Sequence, residues 1–402
     1  MPKTSVSDRR LIFASAFLRS AAVGLSGVIL ALHIARMGFN PLKIGATISL
    51  GLAGCAAGTW LVAYFADNKG RRSSLIAVSL LMAGGGLAVA YLAEPGLLMA
   101  AAFIGMVNGM GRDRGAGLTL DQSMLSQTSE AASRTTAFAW YNLIVDAGHA
   151  AGALLALLPA FFQRTAGVNE LDSYHFTWLV YSALCLIAAA LVTRLSPGVE
   201  TKNVMASQPL SPQTRKVVAR FAALSGLDSL GGGFLTTALV SYWFFQRFGA
   251  DESFLGPLFF VVRILNGLSH LGAAWLAQRV GLVNTMVFTH IPSSLLLMAV
   301  PFAPSLTVAV VLFLIREGLV EMDVPTRQSY LMAVVGEEER TKAAGITNLV
   351  RGGAWAVAPV MAGSLMKTLS LSSPLFIGSG LKIVYDLLLY RAFRKFKPPE
   401  EL

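Results

Sequence analysis

Long apolar runs, each closed by a short cluster of charged or turn-forming residues, follow one another along the whole chain. Runs of about 20 apolar residues are long enough to cross the hydrocarbon core of a bilayer as helices. Twelve such spans are expected. They cover 11–35, 42–66, 74–93, 97–126, 135–162 and 174–194, then 217–246, 253–278, 283–302, 305–334, 342–369 and 373–392. Between the sixth and seventh lies a polar stretch from Ser196 to Thr214, with Pro197, Pro209 and Pro212, which reads as a flexible linker. The pattern therefore predicts an all-α integral membrane protein: a six-helix bundle over 1–195, a linker over 196–215 and a second six-helix bundle over 216–402.

The two halves repeat one another. Asp121-Gln122-Ser123-Met124-Leu125, followed by Arg134-Thr135 and Asn142-Leu143, returns as Arg327-Gln328-Ser329-Tyr330-Leu331, Arg340-Thr341 and Asn348-Leu349. Two apolar bundles in the same orientation are the arrangement of a rocker-type transporter.

Composition excludes a soluble domain, since 54% of the residues are hydrophobic, 13% are charged and the mean hydropathy is +0.61. Lys3, Arg9, Arg10, Lys69, Arg71, Arg72, Arg134, Arg279, Arg340, Lys342 and the basic tail fall on one set of loops; Arg36, Lys43, Arg164 and Arg247 fall on the other. Both termini are therefore expected in the cytoplasm of a cell (inner or plasma) membrane protein. The net charge of +10 is read as affinity for anionic headgroups of membrane lipids, with no nucleic-acid partner. A monomer is expected. Met1 to Arg10 is short and polar, so no removable leader is expected. Cys55 and Cys185 both fall in apolar spans, which argues against a disulfide framework or a metal cluster. No Walker-type loop or nucleophile elbow is present, so neither ATP drive nor an enzyme is expected, and no cofactor.

After the second span the chain reads Ala66-Asp67-Asn68-Lys69-Gly70-Arg71-Arg72, and after the eighth Leu276-Ala277-Gln278-Arg279-Val280-Gly281. The first resembles the Asp-Arg-x-Gly-Arg-Arg/Lys signature of the major facilitator superfamily, and the second resembles its degenerate partner. Ala63 and Asn68 depart from the pattern, where a glycine and a basic residue are usual. The resemblance implies a twelve-helix fold of two pseudo-symmetric bundles. It also implies a conformational latch at Asp67, Gly70, Arg71 and Arg72, the aspartate steadying one state of the transporter.

A charge at the centre of a membrane helix costs at least about 2.5–3.5 kcal/mol, so each intramembrane charge demands a partner or a wet cavity and is a candidate site. The fourth span carries Arg112, Asp113 and Arg114, with Asp121 two turns further on. In the superfamily an arginine on this helix takes part in proton coupling or substrate binding; a structural salt-bridge network is the competing reading. The tenth span carries Arg316, Glu317, Glu321, Asp323 and Arg327. Glu317 and Glu321 are spaced to share one face, as a carboxylate proton carrier would require, or to belong to an ion-pair cluster like Asp323 and Arg327.

Arg19-Ser20 with Gly24 in the first span aligns with Asp228-Ser229 with Gly233 in the seventh. These opposite charges either pair across the two bundles or contact substrate separately. Asp146, expected in the apolar interior of the fifth span, is the first-half candidate for protonation, with His149 as relay or as a core histidine. Lys382 and Asp386 are spaced for an intrahelical pair. Arg263, beside Asn266, joins Arg19, Arg112 and Arg351 as cations suited to an anionic substrate, because the guanidinium fork clamps carboxylate or phosphate. The function expected is secondary active transport of a small-molecule substrate by alternating access, with protons as the coupling ion and an organic anion as cargo. A proton-driven efflux antiporter for amphipathic compounds and a non-transporting sensor are the alternatives. The Gly-Pro pair that drug antiporters carry late in the fifth span is absent here, where Gly148 to Leu155 contains no proline.

Overall fold

In lipid every backbone amide must be satisfied within the chain, which for one continuous apolar run means a helix. The computed structural model describes residues 3–113, 115–128, 134–200, 211–335 and 339–393. Residues 201–210 of the expected linker and Arg114 lie outside the described residues. The helices are α1 (Lys3–Arg36), α2 (Pro41–Lys69), α3 (Arg71–Tyr91), α4 (Pro95–Ile104), α5 (Ala116–Thr128), α6 (Arg134–Leu155), α7 (Leu158–Ala166) and α8 (Glu170–Val192). The chain continues with α9 (Pro212–Gly233), α10 (Thr237–Phe248), α11 (Glu252–Val280), α12 (Leu282–Ala299), α13 (Leu306–Val320), α14 (Asp323–Val334), α15 (Arg340–Thr368) and α16 (Ser373–Phe393). Eight helical stretches are long and apolar enough to cross a membrane by length and composition alone.

The twelve spans read from the pattern are present, and four of them are broken. The fourth divides into α4 and α5, the fifth into α6 and α7, the seventh into α9 and α10, and the tenth into α13 and α14. Local chemistry explains three of the breaks. Between α4 and α5 the chain is glycine-rich, with Gly111 at φ 71° and Met106 at φ 51°, backbone that glycine adopts at little cost and methionine only under constraint. Pro159 enters at the first turn of α7, where its missing N–H does no harm. At the third break, three successive glycines end α9, and Thr236 restarts the helix by accepting the Leu239 N–H.

Packing divides the chain into two units, one of Met1–Met205 with Thr236–Phe260, the other of Ala206–Leu235 with Val261–Leu402. In sequence α10 and the first residues of α11 belong to the second half, yet they pack in unit 1. In that unit the Ala238 N–H donates to Gly109 O (3.0 Å) and Thr237 Oγ1 to Met110 O (2.8 Å), so α10 satisfies carbonyls freed by the break between α4 and α5. Ser26 Oγ bonds Asn108 O (2.8 Å) in the same stretch.

Glycines set how closely the helices approach. A Cβ on Gly152 of α6 would stand 2.0 Å from Ala21 O of α1, and one on Gly24 of α1 would stand 2.3 Å from His149 O of α6. In unit 2 a Cβ on Gly233 of α9 would lie 2.5 Å from Ala358 Cβ of α15, so the first and fifth spans of each repeat meet through a glycine. Outward faces are apolar, with Tyr64, Leu271, Phe302 and Leu369 at least two-thirds exposed, while Arg19, Asp121, Asp228, His290 and Asp386 are buried. This polarity is the inverse of a soluble domain and suits a lipid surround.

Substituting Gly152→Ala places a methyl against backbone that cannot withdraw like a side chain. The variant is expected to lose about 1–3 kcal/mol and to show a lower Tm in detergent. Gly267→Ala, at a helical site with nothing within 4 Å of the new methyl, is expected to leave Tm unchanged or slightly raised.

Candidate functional site

Many of the buried charges gather into one cluster in each unit. In unit 1, α1 brings Arg19 to Asp121 on α5, the two joined by a salt bridge between Nη2 and Oδ2. Tyr141 on α6 donates its hydroxyl to the same carboxylate oxygen at 2.9 Å. Arg19 is fully buried and Asp121 nearly so. Arg19 Nε and Nη1 and Asp121 Oδ1 have no hydrogen-bond partner among the described residues. An ion pair this deep in protein, with donors left over, is stable only while both partners stay.

Next to this pair, the Asp113 N–H donates to His149 Nε2 at 2.8 Å, so that nitrogen is the acceptor and the neutral ring carries its proton on Nδ1. Asp113 Oδ1 accepts from Gly115 N (2.9 Å), and the Arg112 carbonyl accepts from Asn108 Nδ2 (2.7 Å), which tightens the non-helical turn. Asp146 departs from the expectation of an apolar interior. Its side chain is 45% exposed, with Oδ1 3.9 Å from His149 Nδ1, because α6 turns residue 146 outward and residue 149 toward α1.

In unit 2, Asp228 on α9 lies at the centre of a larger cluster. Lys382 Nζ on α16 reaches its Oδ1 at 2.9 Å, and Arg327 Nη1 on α14 reaches its Oδ2 at 3.0 Å. Arg351 Nη1 on α15 stands 3.8 Å from Oδ2, its guanidinium 4.8 Å from the Trp355 ring centroid. Arg327 also bonds Asp323 at 2.5 Å. His290 on α12 bridges the outer part: its Nδ1 is 2.9 Å from Asp386 Oδ1 and its Nε2 is 3.1 Å from Lys382 Nζ. Asp228, His290 and Asp323 each bring one ligand atom to within 4.8 Å of the others, as in a metal site. Arg327 bonds both carboxylates and Lys382 bridges Asp228 to the imidazole, so side chains supply the positive charge a metal would bring.

One sequence expectation is corrected here. Lys382 bonds Asp228 and His290, whereas Asp386 bonds His290, so the spacing of Lys382 and Asp386 does not make the intrahelical pair it allows. Arg19 and Asp228, aligned with opposite charge, each find a partner within their own unit. Glu317 is bonded by Arg316 and by Asn266 Nδ2 (3.1 Å), while Glu321 lies 3.8 Å from His270 Nε2. Helix α13 ends at Val320, and Glu321 is its C-cap, one turn after Glu317. Arg263 is half-buried on α11.

At the signature loop, Arg71 Nε bonds Asp67 Oδ1 at 2.8 Å and Arg71 Nη1 bonds Ser123 O at 3.2 Å. Arg72 bonds Thr193 O. Gly70, at φ 96°, makes the turn. Glu200 caps α3 by accepting the Arg71 and Arg72 N–H groups at 2.7 and 3.1 Å, a role invisible in sequence because Glu200 lies far along the chain.

A third group was also missed. Arg36, at the end of α1, bonds Glu170 at the start of α8 and Glu252 at the start of α11 (3.0 Å), while Tyr174 Oη donates to Glu252 at 2.8 Å. The guanidinium lies 4.8 Å from the centroid of the Phe245 ring on α10. Arg36 thus ties segments of both sequence halves together at one end of unit 1. Spacing gives no clue to a pair whose members lie 216 residues apart.

Two outcomes test these arrangements. Because unit 2 holds Asp228 and Arg327 where unit 1 holds Arg19 and Asp121, the swapped double variant Arg19→Asp with Asp121→Arg is expected to fold. Either single reversal is expected to lose about 3–5 kcal/mol, seen as loss of the monodisperse peak on size exclusion. For the Arg36 group, Glu252→Ala is expected to raise several-fold the rate at which a membrane-impermeant maleimide labels Ser241→Cys; an unchanged rate would show that the group does not hold α10 in unit 1.

The sequence matches the Major Facilitator Superfamily over residues 12–359 and 221–401. It is 25% identical to an uncharacterized membrane protein of Saccharomyces cerevisiae over 96% of this chain and 94% of that protein. In fold it is similar to a mutant of the nucleoside transporter NupG (TM-score 0.78, 15% identity, 96% of this chain and 99% of that one). It is also similar to the xylose transporter XylE from E. coli (TM-score 0.73, 16% identity, 99% of each chain). The human organic anion transporter MFSD10 shares the fold at TM-score 0.61 and 15% identity, over 97% of this chain and 100% of that one. A duplicated bundle of twelve spans, a signature loop after the second and a family match running from end to end agree: this chain belongs to the Major Facilitator Superfamily.

Proposed function

We propose that the protein is a secondary active transporter that moves a small organic anion across a cell membrane by alternating access, coupled to protons. The distribution of Lys and Arg supports cytoplasmic termini, and on this reading the protein acts as a monomer among anionic lipids.

One observation carries the substrate class: a fully buried arginine whose guanidinium is only partly used. Arg19 bonds Asp121 through Nη2, while Nε and Nη1 have no hydrogen-bond partner among the described residues. Buried donors without partners are costly, and a carboxylate or phosphate oxygen is the acceptor that a guanidinium fork fits best. Arg351, held only at 3.8 Å by Asp228 and stacked near Trp355, offers a second cation of the same kind. MFSD10, which shares the fold, is an organic anion transporter, and this supports the reading without deciding the cargo. Coupling to protons is supported by the carboxylates and histidines buried in both units, since groups that change charge inside the protein bias one conformation over another.

The test is uptake into vesicles holding the purified protein, with a proton gradient imposed and a panel of radiolabelled carboxylates, phosphate esters, sugars and amines supplied. Gradient-dependent uptake of anionic members alone is expected. Arg19→Lys keeps the charge but loses the fork, and it is expected to raise KM at least about tenfold with the fold intact. Uptake confined to neutral or cationic solutes would overturn the anion reading, and uptake indifferent to the gradient would overturn the coupling.

A further inference from the structure

We propose that His290 and Asp386, together with Lys382, form a proton-binding site in unit 2, and that protonation there releases Lys382 from Asp228 beside the end of α9. This rests on the proton coupling put forward above and gives it a location.

Hydrogen-bond roles in the chain of contacts follow from donor chemistry. A lysine ammonium only donates, so His290 Nε2, 3.1 Å from Lys382 Nζ, carries the lone pair. The single ring proton is then on Nδ1 and is donated to Asp386 Oδ1 at 2.9 Å. Asp386 is completely buried, and its Oδ2 has no hydrogen-bond partner among the described residues.

The carboxylates of the cluster are not treated alike. Asp228 is bonded by Lys382 and Arg327, and Asp323 by Arg327. Asp386 has only the neutral imidazole and one empty oxygen. A buried carboxylate lacking a cation is the member that gains most from a proton on itself or on its neighbour. Among the described residues, the other charged and titratable groups of the cluster are Asp323 and Arg327 on α14, Arg351 on α15 and Tyr385 on α16, whose ring meets His290 edge-on with centroids 6.1 Å apart. On α13, also packed against α12, Arg316 and Glu317 are bonded to each other.

Protonation has a defined structural consequence. A proton added to Nε2 uses the lone pair that accepts from Lys382, so that hydrogen bond is lost and two positive groups come face to face. The new Nε2–H faces Asp228 Oδ1, 4.0 Å away, and the imidazolium provides Asp386 with the cation it lacks. Lys382 is displaced from both of its partners. Its side chain lies on the glycines that end α9: a Cβ on Gly231 would stand 3.1 Å from Lys382 Cγ, and one on Gly232 would stand 3.9 Å from Nζ. Helix α9 stops at Gly233, and unit 2 gives way to unit 1 between Leu235 and Thr236. A proton bound at His290 thereby acts on the segment where the chain passes from one unit to the other.

The test uses full-length protein in lipid vesicles with nitrogen-15-labelled histidine, the His290 signals assigned by their absence in His290→Gln. At alkaline pH the Nδ1–H tautomer is expected. As the pH falls, both ring nitrogens become protonated, with a midpoint at least about one unit lower in Asp386→Asn. An imidazole that keeps a single proton on Nδ1 at every pH where the protein is folded overturns the proposal, and this measurement needs no variant to transport. Proton movement driven by the carboxylate panel is then recorded in wild type, His290→Gln, Asp386→Asn and Lys382→Gln. Loss of coupled flux in all three variants supports the site. Flux retained in His290→Gln and Asp386→Asn overturns it and leaves the coupling reading intact. Titration of His290 in a wild type that moves no protons with any solute supports the binding site and sinks the coupling reading instead.

Discussion

The structure depends on one buried ion pair made twice, between the first and fourth spans of each repeat. In unit 1 it is Arg19 with Asp121, and in unit 2 it is Asp228 with Arg327. The repeats are aligned at these positions and the charges are exchanged. A lone charge among apolar helices is costly enough to be neutralised locally, so the pairing obeys the repeat and not the attraction between opposite charges at equivalent sites. Each pair also fixes a helix that follows a break, α5 in one unit and α14 in the other.

The breaks are where the molecule departs from simple rods, and the freed backbone groups between α4 and α5 do not go unsatisfied. Carbonyls of Asn108, Gly109 and Met110 accept from Ser26, Ala238 and Thr237. Irregular backbone at membrane depth is tolerated when protein supplies the partners. It also gives α10 a reason to pack with unit 1, through bonds made by its first turn rather than by a side-chain stripe. The Arg36 group strengthens the same association at the far end of α1. A bundle able to alternate needs connections of this kind, specific and polar, that break without opening an apolar core.

Around the shared pair the units diverge. Unit 1 adds one hydroxyl, from Tyr141, and leaves guanidinium nitrogens open. Unit 2 adds Lys382, Arg351, His290, Asp323 and Asp386, in which most charges are shared between two partners. A pair with spare donors is suited to a ligand, and a network with shared donors is suited to rearrangement on protonation.

By itself the sequence determined the number of spans, the duplication, the superfamily through the loop from Asp67 to Arg72, and several of the buried charges that needed partners. Those features depend on composition, periodicity and nearby spacing, which the chain carries locally. The twelve spans were legible because apolar runs of membrane length have few other readings. Their breaks were less so, although Gly231 to Gly233 signalled one. Tertiary structure alone decided the partners. Asp386 lies one turn from Lys382 yet bonds His290, 96 residues away, and Glu252 closes on Arg36 and Tyr174. His290 itself attracted no notice, since a single histidine in an apolar helix has no pattern around it. Spacing along a helix limits which groups are able to meet, but burial rewards whichever satisfied arrangement the packed helices allow, and that arrangement exists only once distant spans lie side by side.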